Sequence, residues 1–275
     1  GLGKTIEAGI IWTELLVRNH YKKLLIICPK VLCDKWKLEM QTKFSLDAQI
    51  YSKTELVEAI SSPTFQHKGF VAICGIQSLR AKRNTEDLLA KTLSEIDGLD
   101  SKIDLTIIDE AHHLRNPGTQ THKLAQSISR ISEQMLFLSA TPINLQSKDL
   151  HSLLKLIEPD TFEEFESFKR ILQANEPIIK ALNELKNSND MQEVKSHLVE
   201  ASESVIFKNT KQLKKIIYDI ENLQSNIEKA ELANLMGRID RVNLLSNSVS
   251  RTRRRDVEEF RVLRKVFPHK SKMSV

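Results

Sequence analysis

The chain has few aromatic residues, few cysteines and no long apolar run, and each scarcity excludes a class of protein. Phe, Trp and Tyr make up only 5% of its 275 residues, so a core must be built mostly from Leu and Ile. The longest apolar runs, such as Leu24 to Cys28, have the length of a strand and are too short to cross a bilayer. No signal peptide is visible, and we expect no membrane partner.

The thiols are limited to Cys28, Cys33 and Cys74, whose spacing does not match that of a metal site. We interpret them as small buried side chains in a reducing compartment, and we expect a cytoplasmic protein. The 41 Lys and Arg residues exceed the 36 Asp and Glu residues, which gives a net charge of +5. That excess is compatible with a nucleic-acid partner and does not require one.

Up to about Asn144 the chain alternates short apolar runs with amphipathic stretches, which is typical of a parallel sheet flanked by helices. The predicted strands are Leu24–Cys28, Phe70–Cys74, Ile103–Ile108 and Met135–Leu138. The predicted helices between them carry Leu32, Trp36, Met40 and Phe44 on one face, and Leu124, Ile128 and Ile131 on another. These patterns predict an α/β fold.

After Asn144 the pattern predicts helices alone. The apolar stripes are Leu150/Leu153/Leu154/Ile157, Phe162/Phe165/Phe168, Ile178/Leu182/Leu185, Leu213/Ile216/Ile217/Ile220 and Leu232/Leu235/Met236. No Gly lies between Gly118 and Gly237, so long helices with few breaks are expected. We therefore predict an α/β unit over residues 1–160, a helical protrusion over 161–250 and an arginine-rich connector over 251–275.

The chain begins with Gly1-Leu2-Gly3-Lys4-Thr5, which is typical of a phosphate-binding loop that opens a helix, here predicted over Thr5 to Asn19. Backbone N–H groups at Gly1 and Gly3 would wrap a polyphosphate, and Lys4 would contact the outer phosphates. The Thr5 hydroxyl would bind Mg²⁺. Taken alone, a glycine turn of this kind also arises without a ligand.

A second nucleotide motif, Asp109-Glu110-Ala111-His112, follows the predicted strand Ile103–Ile108. Ligands bind at the carboxyl ends of strands in open α/β sheets, and a Mg²⁺–phosphate group there would relieve the repulsion between two adjacent acids. We assign Asp109 to the metal, directly or through water, and Glu110 to activation of the attacking water. With the loop at Lys4, this motif predicts ATP hydrolysis.

Two further motifs are candidates for coupling. His112 is expected to hydrogen-bond within the site and relay its state, while His113 either takes part or simply packs. Ser139 and Thr141, in Ser139-Ala140-Thr141-Pro142, lie at the end of a predicted strand, where hydroxyls can bond the acids and sense the γ-phosphate. The same residues would also form a simple hydroxyl-capped turn.

In their order, four segments of the chain resemble the Swi/Snf-type ATPases of helicase superfamily two. They are GLGKTIEAG, LLIICPKVLCDKWKLEM, IIDEAHHLRN and LSATPINLQSKDLHSLLKLIEP. The later RTRRRDV and FP are similar to the family's segment that leads toward its second lobe. The bacterial branch, exemplified by ATPases associated with RNA polymerase, is the most similar in character. The resemblance implies a RecA-like P-loop parallel sheet with flanking helices, followed by an all-helical insertion.

The resemblance also implies a function and further site residues. The family uses ATP and Mg²⁺ to move along double-stranded DNA, so we expect a nucleoid-associated enzyme that remodels or displaces RNA polymerase or another DNA-bound complex. Pro29, Lys30 and Ser78 match DNA-contacting segments, and Lys30 also suits phosphate contact by its charge. The arginines Arg251, Arg253, Arg254 and Arg255 could meet phosphates, brace the lobes or cap a helix.

Two departures from the family give a further expectation. The chain starts inside the phosphate loop and has no second lobe, which in the family supplies arginines to the ATP site, so the chain alone is expected to be nearly inactive. Two other classes stay open at the level of sequence. One is a non-catalytic remnant lobe that acts as a protein-interaction module, and the other is a different P-loop group, such as a kinase or a sugar-coupled ATPase.

Overall fold

The computed structural model describes residues 3–62, 64–65, 68–80, 88–96, 103–139, 147–188, 190–222 and 229–249. The predicted arginine cluster and the site residues Gly1 and Thr141 lie outside these ranges. The strands are β1 (Lys23–Cys28), β2 (Gln49–Tyr51), β3 (Phe70–Gly75), β4 (Ile103–Asp109) and β5 (Ser132–Leu138). They form one five-stranded sheet in the order β2-β3-β1-β4-β5, in which every pairing is parallel.

Eleven helices are seen among the described residues. Six accompany the strands: α1 (Lys4–Asn19), α2 (Cys33–Phe44), α3 (Lys53–Ser61), α4 (Ile76–Leu79), α5 (Leu88–Ile96) and α6 (Gln120–Ile131). Five follow the sheet: α7 (Ser147–Ile157), α8 (Phe165–Asn187), α9 (Met191–Glu203), α10 (Lys211–Glu221) and α11 (Lys229–Asp240). The predicted α/β class, a parallel sheet with flanking helices and helices after it, is confirmed.

Alternate residues of β1 enter two different core clusters, so the sheet is covered on both faces. Leu24 and Ile26 pack with α1 and α2, whereas Leu25 and Ile27 pack with α3, α5, α6 and α7. All six residues of β1 are buried, which explains why this strand has a continuous apolar sequence instead of an alternating one.

The helices after the sheet have a core of their own. Apolar side chains of α8, α9, α10 and α11 form one cluster, centred on residues such as Ile178, Leu198 and Ile216. A smaller cluster of Leu154, Phe168 and neighbouring residues joins α7 to α8. Of the helices in the described ranges, none combines the length and the apolarity that a bilayer crossing needs.

Several boundaries differ from the sequence-based expectation. The four predicted strands are present, but the prediction omitted β2 and the helices α3, α4, α5 and α9. The stripe that starts at Phe162 and the one that starts at Ile178 belong to a single helix, α8, which begins at Phe165 and contains Pro177. Phe162 itself lies in the preceding turn and is buried against Phe168.

Candidate functional site

The turn before α1 gives Lys4 its position. Gly3 has φ +85°, in the left-handed region that favours glycine, and its carbonyl accepts the first helical hydrogen bonds, from Ile6 and Glu7. Lys4 and Thr5 therefore stand in the first turn of α1, at the positive end of the helix dipole, and both are half-buried. Phosphate groups are stabilised at such a helix end.

The two acids are presented by the end of β4. Asp109 is the last residue of the strand, and Glu110 adopts φ 52°, ψ 45° before the 3₁₀ turn Ala111–Leu114. Because all strands are parallel, this end of β4 lies at the same edge of the sheet as the ends of β1 and β5. Ser139 follows β5 directly at that edge and is half-buried.

Lys4 and the acids meet although 105 residues separate Lys4 from Asp109. Its Nζ donates to Asp109 Oδ1 at 3.2 Å and to Glu110 Oε1 at 3.0 Å. Burial lowers the pKa of Lys4, but the hydrogen bond to Glu110 and the charge of Asp109 outweigh it, and the pKa is raised. One ammonium thus faces two carboxylates, which leaves this group of three with a net negative charge.

Asp109 has two further donors. The indole Nε1 of Trp36 donates to Oδ2 at 3.1 Å, and the backbone N–H of Glu110 donates to Oδ1 at 2.8 Å. Only 7% of the Asp109 side chain is exposed. A buried carboxylate needs such donors because losing water without them is costly. Trp36 is not recognisable as a site residue from the sequence, since its position on an apolar helix face indicates core packing.

His112 lies on the outer side of Glu110. The His112 Nδ1 lies 3.2 Å from Glu110 Oε2, which is within ion-pair distance. The two atoms are not aligned as a hydrogen bond requires. The His112 and His113 rings are 4.1 Å apart. Burial lowers the pKa of His112, and the neighbouring His113 lowers it further, while Glu110 raises it less. The imidazole is therefore held in its neutral form more strongly than in a free peptide.

The residues that were predicted to contact DNA come together on neighbouring strand ends. Lys30 follows β1 and is exposed, Ser78 follows β3 and is exposed, and Gln77 joins them by accepting from the Lys30 N–H at 2.9 Å. A Cβ on Gly75 would lie 3.3 Å from the Lys30 Cβ, so glycine permits this close approach. Pro29 precedes the 3₁₀ turn Lys30–Leu32, which connects β1 to α2.

The donor set suits Mg²⁺. Two carboxylates and a threonine hydroxyl match a cation that takes oxygen ligands from a few side chains, phosphates and water, and the helix N-terminus suits the phosphates. Among the described residues no group of three or more His, Cys, Asp or Glu side chains gathers as a metal cage. Surface cavities of about 520 Å³ on α8 and about 370 Å³ at the far end of α1 are lined by other residues.

Two comparisons with known proteins bear on this site. The family model of the SNF2-related domain matches residues 1–259. Among solved structures, the chain is similar to a "Sulfolobus solfataricus SWI2/SNF2 ATPase core in complex with dsDNA", with 14% sequence identity and a TM-score of 0.43. That match covers 80% of this chain, and the chain spans 58% of the length of the solved one.

Proposed function

Because the chain belongs to the SNF2-related domain family, we propose that it is the ATP-binding and ATP-hydrolysing lobe of a DNA-dependent translocase. The observation that carries the proposal is the convergence of Lys4, Asp109 and Glu110 within 3.2 Å across the sheet edge. A lysine at a helix N-terminus beside two acids at a strand end is the arrangement that phosphoryl transfer requires.

Each residue has a distinct task in this proposal. Lys4 leaves the carboxylates and contacts the outer phosphates, while the first turn of α1 contributes its positive end. Asp109 and Thr5 would hold Mg²⁺, directly or through water, and Glu110 would take a proton from the attacking water. The metal, when bound, neutralises charge on the transferring phosphate. Gly1 and Gly3 would let the backbone approach the phosphates closely.

The residues around this centre would link it to the duplex. His112, half-buried beside Glu110, and Ser139, which follows β5, would respond when the phosphate is lost, and Thr141 is assigned with them from the motif. Pro29, Lys30 and Ser78 would contact the DNA backbone, because exposed cations and hydroxyls on strand-end loops suit phosphate contacts.

The proposed biological outcome is the removal or remodelling of proteins bound to double-stranded DNA. RNA polymerase is one such target, as the resemblance to the bacterial branch implies, and a nucleoid-associated, cytoplasmic location would follow from it. Movement along the backbone without base contacts suits this task, since phosphate contacts carry no sequence information.

The test separates ATP binding from hydrolysis in a protein that contains this chain. Lys4→Ala should weaken Mg²⁺–ATP binding, because the phosphates lose their cation. Glu110→Gln should keep binding but reduce hydrolysis by about 10²-fold or more, because the water loses its base. Calorimetric binding and phosphate release, each with and without duplex DNA, measure both quantities.

Lys22→Ala serves as the matched control, since Lys22 is exposed and lies before the amino end of β1, at the opposite edge of the sheet. It should leave both quantities unchanged. Duplex DNA should raise phosphate release, and the increase should fall as salt rises. Unchanged nucleotide binding in Lys4→Ala, or hydrolysis that ignores DNA, would refute the proposal. The first outcome would favour a non-catalytic interaction module, and the second would favour a different P-loop group.

A further inference from the structure

We propose, on the basis of the function proposed above, that Trp36 is a positioning residue that orients Asp109 for Mg²⁺. The indole Nε1 donates to Asp109 Oδ2 at 3.1 Å from inside the core. Trp36 is 2% exposed and Asp109 is 6% exposed, so water does not compete effectively for this hydrogen bond.

The two oxygens of Asp109 have different partners. Oδ1 accepts from Lys4 and from the Glu110 backbone, whereas Oδ2 accepts from Trp36 alone among the residues that the structure describes. If Lys4 moves to the phosphates, the Glu110 N–H and the indole N–H remain. One donor on each oxygen then fixes the rotation of the carboxylate.

The chemistry of the indole suits this task. Its N–H is a neutral donor without acceptor capacity, so it orients the carboxylate and leaves the negative charge available to a cation. A lysine or arginine in the same place would compete with Mg²⁺ for that charge. Donors of this kind behind a metal ligand commonly contribute to metal affinity.

The second tryptophan of the chain provides a matched comparison. Trp12 is 1% exposed and packs in the same core cluster as Trp36. Its Nε1 is buried and has no hydrogen-bond partner within the described ranges. Replacing either tryptophan by phenylalanine removes the same atoms from the same core, but only Trp36→Phe removes a donor from Asp109.

The first experiment measures ATP binding at increasing Mg²⁺ concentration by calorimetry in a protein that contains this chain. Trp36→Phe should need about 10-fold more Mg²⁺ for half-maximal enhancement of ATP binding, while Trp12→Phe should match the wild type. In EDTA, all three proteins should bind ATP equally. An equal Mg²⁺ requirement in the two variants would overturn the proposal.

The second experiment does not depend on the folding of Trp36→Phe. In the Trp12→Phe protein, Trp36 is the only tryptophan that this chain contributes, and any tryptophan elsewhere in the protein is also replaced. Its emission with ATP in EDTA should shift when Mg²⁺ is added, because a cation then binds next to the carboxylate that accepts its hydrogen bond. Emission that stays constant while calorimetry reports Mg²⁺ binding would contradict the role.

The Lys4→Ala variant distinguishes a failure of the proposed function from a failure of the positioning role of Trp36. If Lys4→Ala binds Mg²⁺–ATP normally, the proposed function is wrong, and the role of Trp36 falls with it. If Lys4→Ala loses binding while Trp36→Phe behaves like Trp12→Phe, the function stands and only the positioning role is wrong.

Discussion

Glu110 has a backbone conformation that costs free energy. Its φ of 52° lies in the left-handed region, which an ordinary side chain avoids by roughly 1–2 kcal/mol. The conformation ends β4 and starts the following turn, so that the carboxylate stands between Lys4 and His112. Strain of this kind concentrates where a structure must place a functional group.

His112 should make stability depend on pH. Burial and His113 lower its pKa below 6.5, with smaller contributions from Arg115 and Lys4, against the opposing charge of Glu110. The unfolded chain therefore takes up a proton on this residue at a higher pH than the folded chain does. The free energy of unfolding should fall as the pH decreases through about 6.5, and His112→Gln should reduce that fall.

Denaturant unfolding at about pH 7.5 and about pH 5.5, without nucleotide or metal, measures the difference. At the higher pH the imidazole is neutral in both states, so the variant reports only the loss of the side chain. If the free energy of unfolding changes equally with pH in the wild type and in His112→Gln, His112 is not the cause of the pH dependence.

At the scale of elements, the contact between α1 and α2 sets the geometry around Asp109. α1 brings Lys4 to one oxygen of the carboxylate, and α2 brings Trp36 to the other. The helices approach closely at Gly9, where a Cβ would lie 2.1 Å from a ring carbon of Phe44. The glycine is therefore needed for helix packing and not for a turn.

Gly9→Ala should destabilise the protein by about 1–3 kcal/mol, because the Phe44 ring must move or the helices must separate. Gly237→Ala in α11 is the matched control, since no described atom lies within 4 Å of the added Cβ. It should stabilise the protein by about 0.5–1 kcal/mol through its helix propensity. Denaturation midpoints compare the two variants. If Gly9→Ala stabilises the protein as Gly237→Ala does, the close contact between Gly9 and the Phe44 ring is contradicted.

Signals for two of the omitted helices are present in the sequence. Ser52 and Glu55 form a reciprocal capping box at the start of α3, and the Asp190 side chain accepts from two N–H groups at the start of α9. β2 has no comparable signal. It contains three residues at the edge of the sheet, and two of them are exposed.

At the scale of the whole molecule, a buried polar residue ties the helical part together. Asn175 in α8 is fully buried, its Nδ2 donates to Asn243, and its Oδ1 accepts from the Leu244 N–H at 3.2 Å. These bonds hold the segment after α11 against the middle of α8. The division into a sheet unit over 1–160 and a helical unit over 161–250 remains a prediction.

Asn175→Ala should cost about 1–3 kcal/mol, because it removes a fully buried side chain together with its hydrogen bonds to Asn243 and to the Leu244 N–H. Hydrogen exchange should accelerate across α8–α11 more than in β1 and β4, if the two cores open separately. Asn187→Ala, exposed at the end of the same helix, should change neither quantity. Equal acceleration in β1 and in α8 would show that the molecule opens as one unit.

The class of fold, the central strands and the pairing of the loop at Lys4 with the acids at Asp109 and Glu110 were predictable from the sequence. The strands are predictable because a buried strand needs a continuous apolar run, which is a local signal. The pairing is predictable despite its long separation in the chain, because phosphate chemistry needs certain residue types at the strand ends of an α/β sheet. Two contacts became visible only in the folded chain: the Trp36 indole faces Asp109, and Gln77 joins Lys30 to the segment of Ser78. Both contacts connect elements far apart in the chain. A side chain on an apolar helix face has the same pattern whether its polar atom has a partner or not, as Trp12 and Trp36 demonstrate.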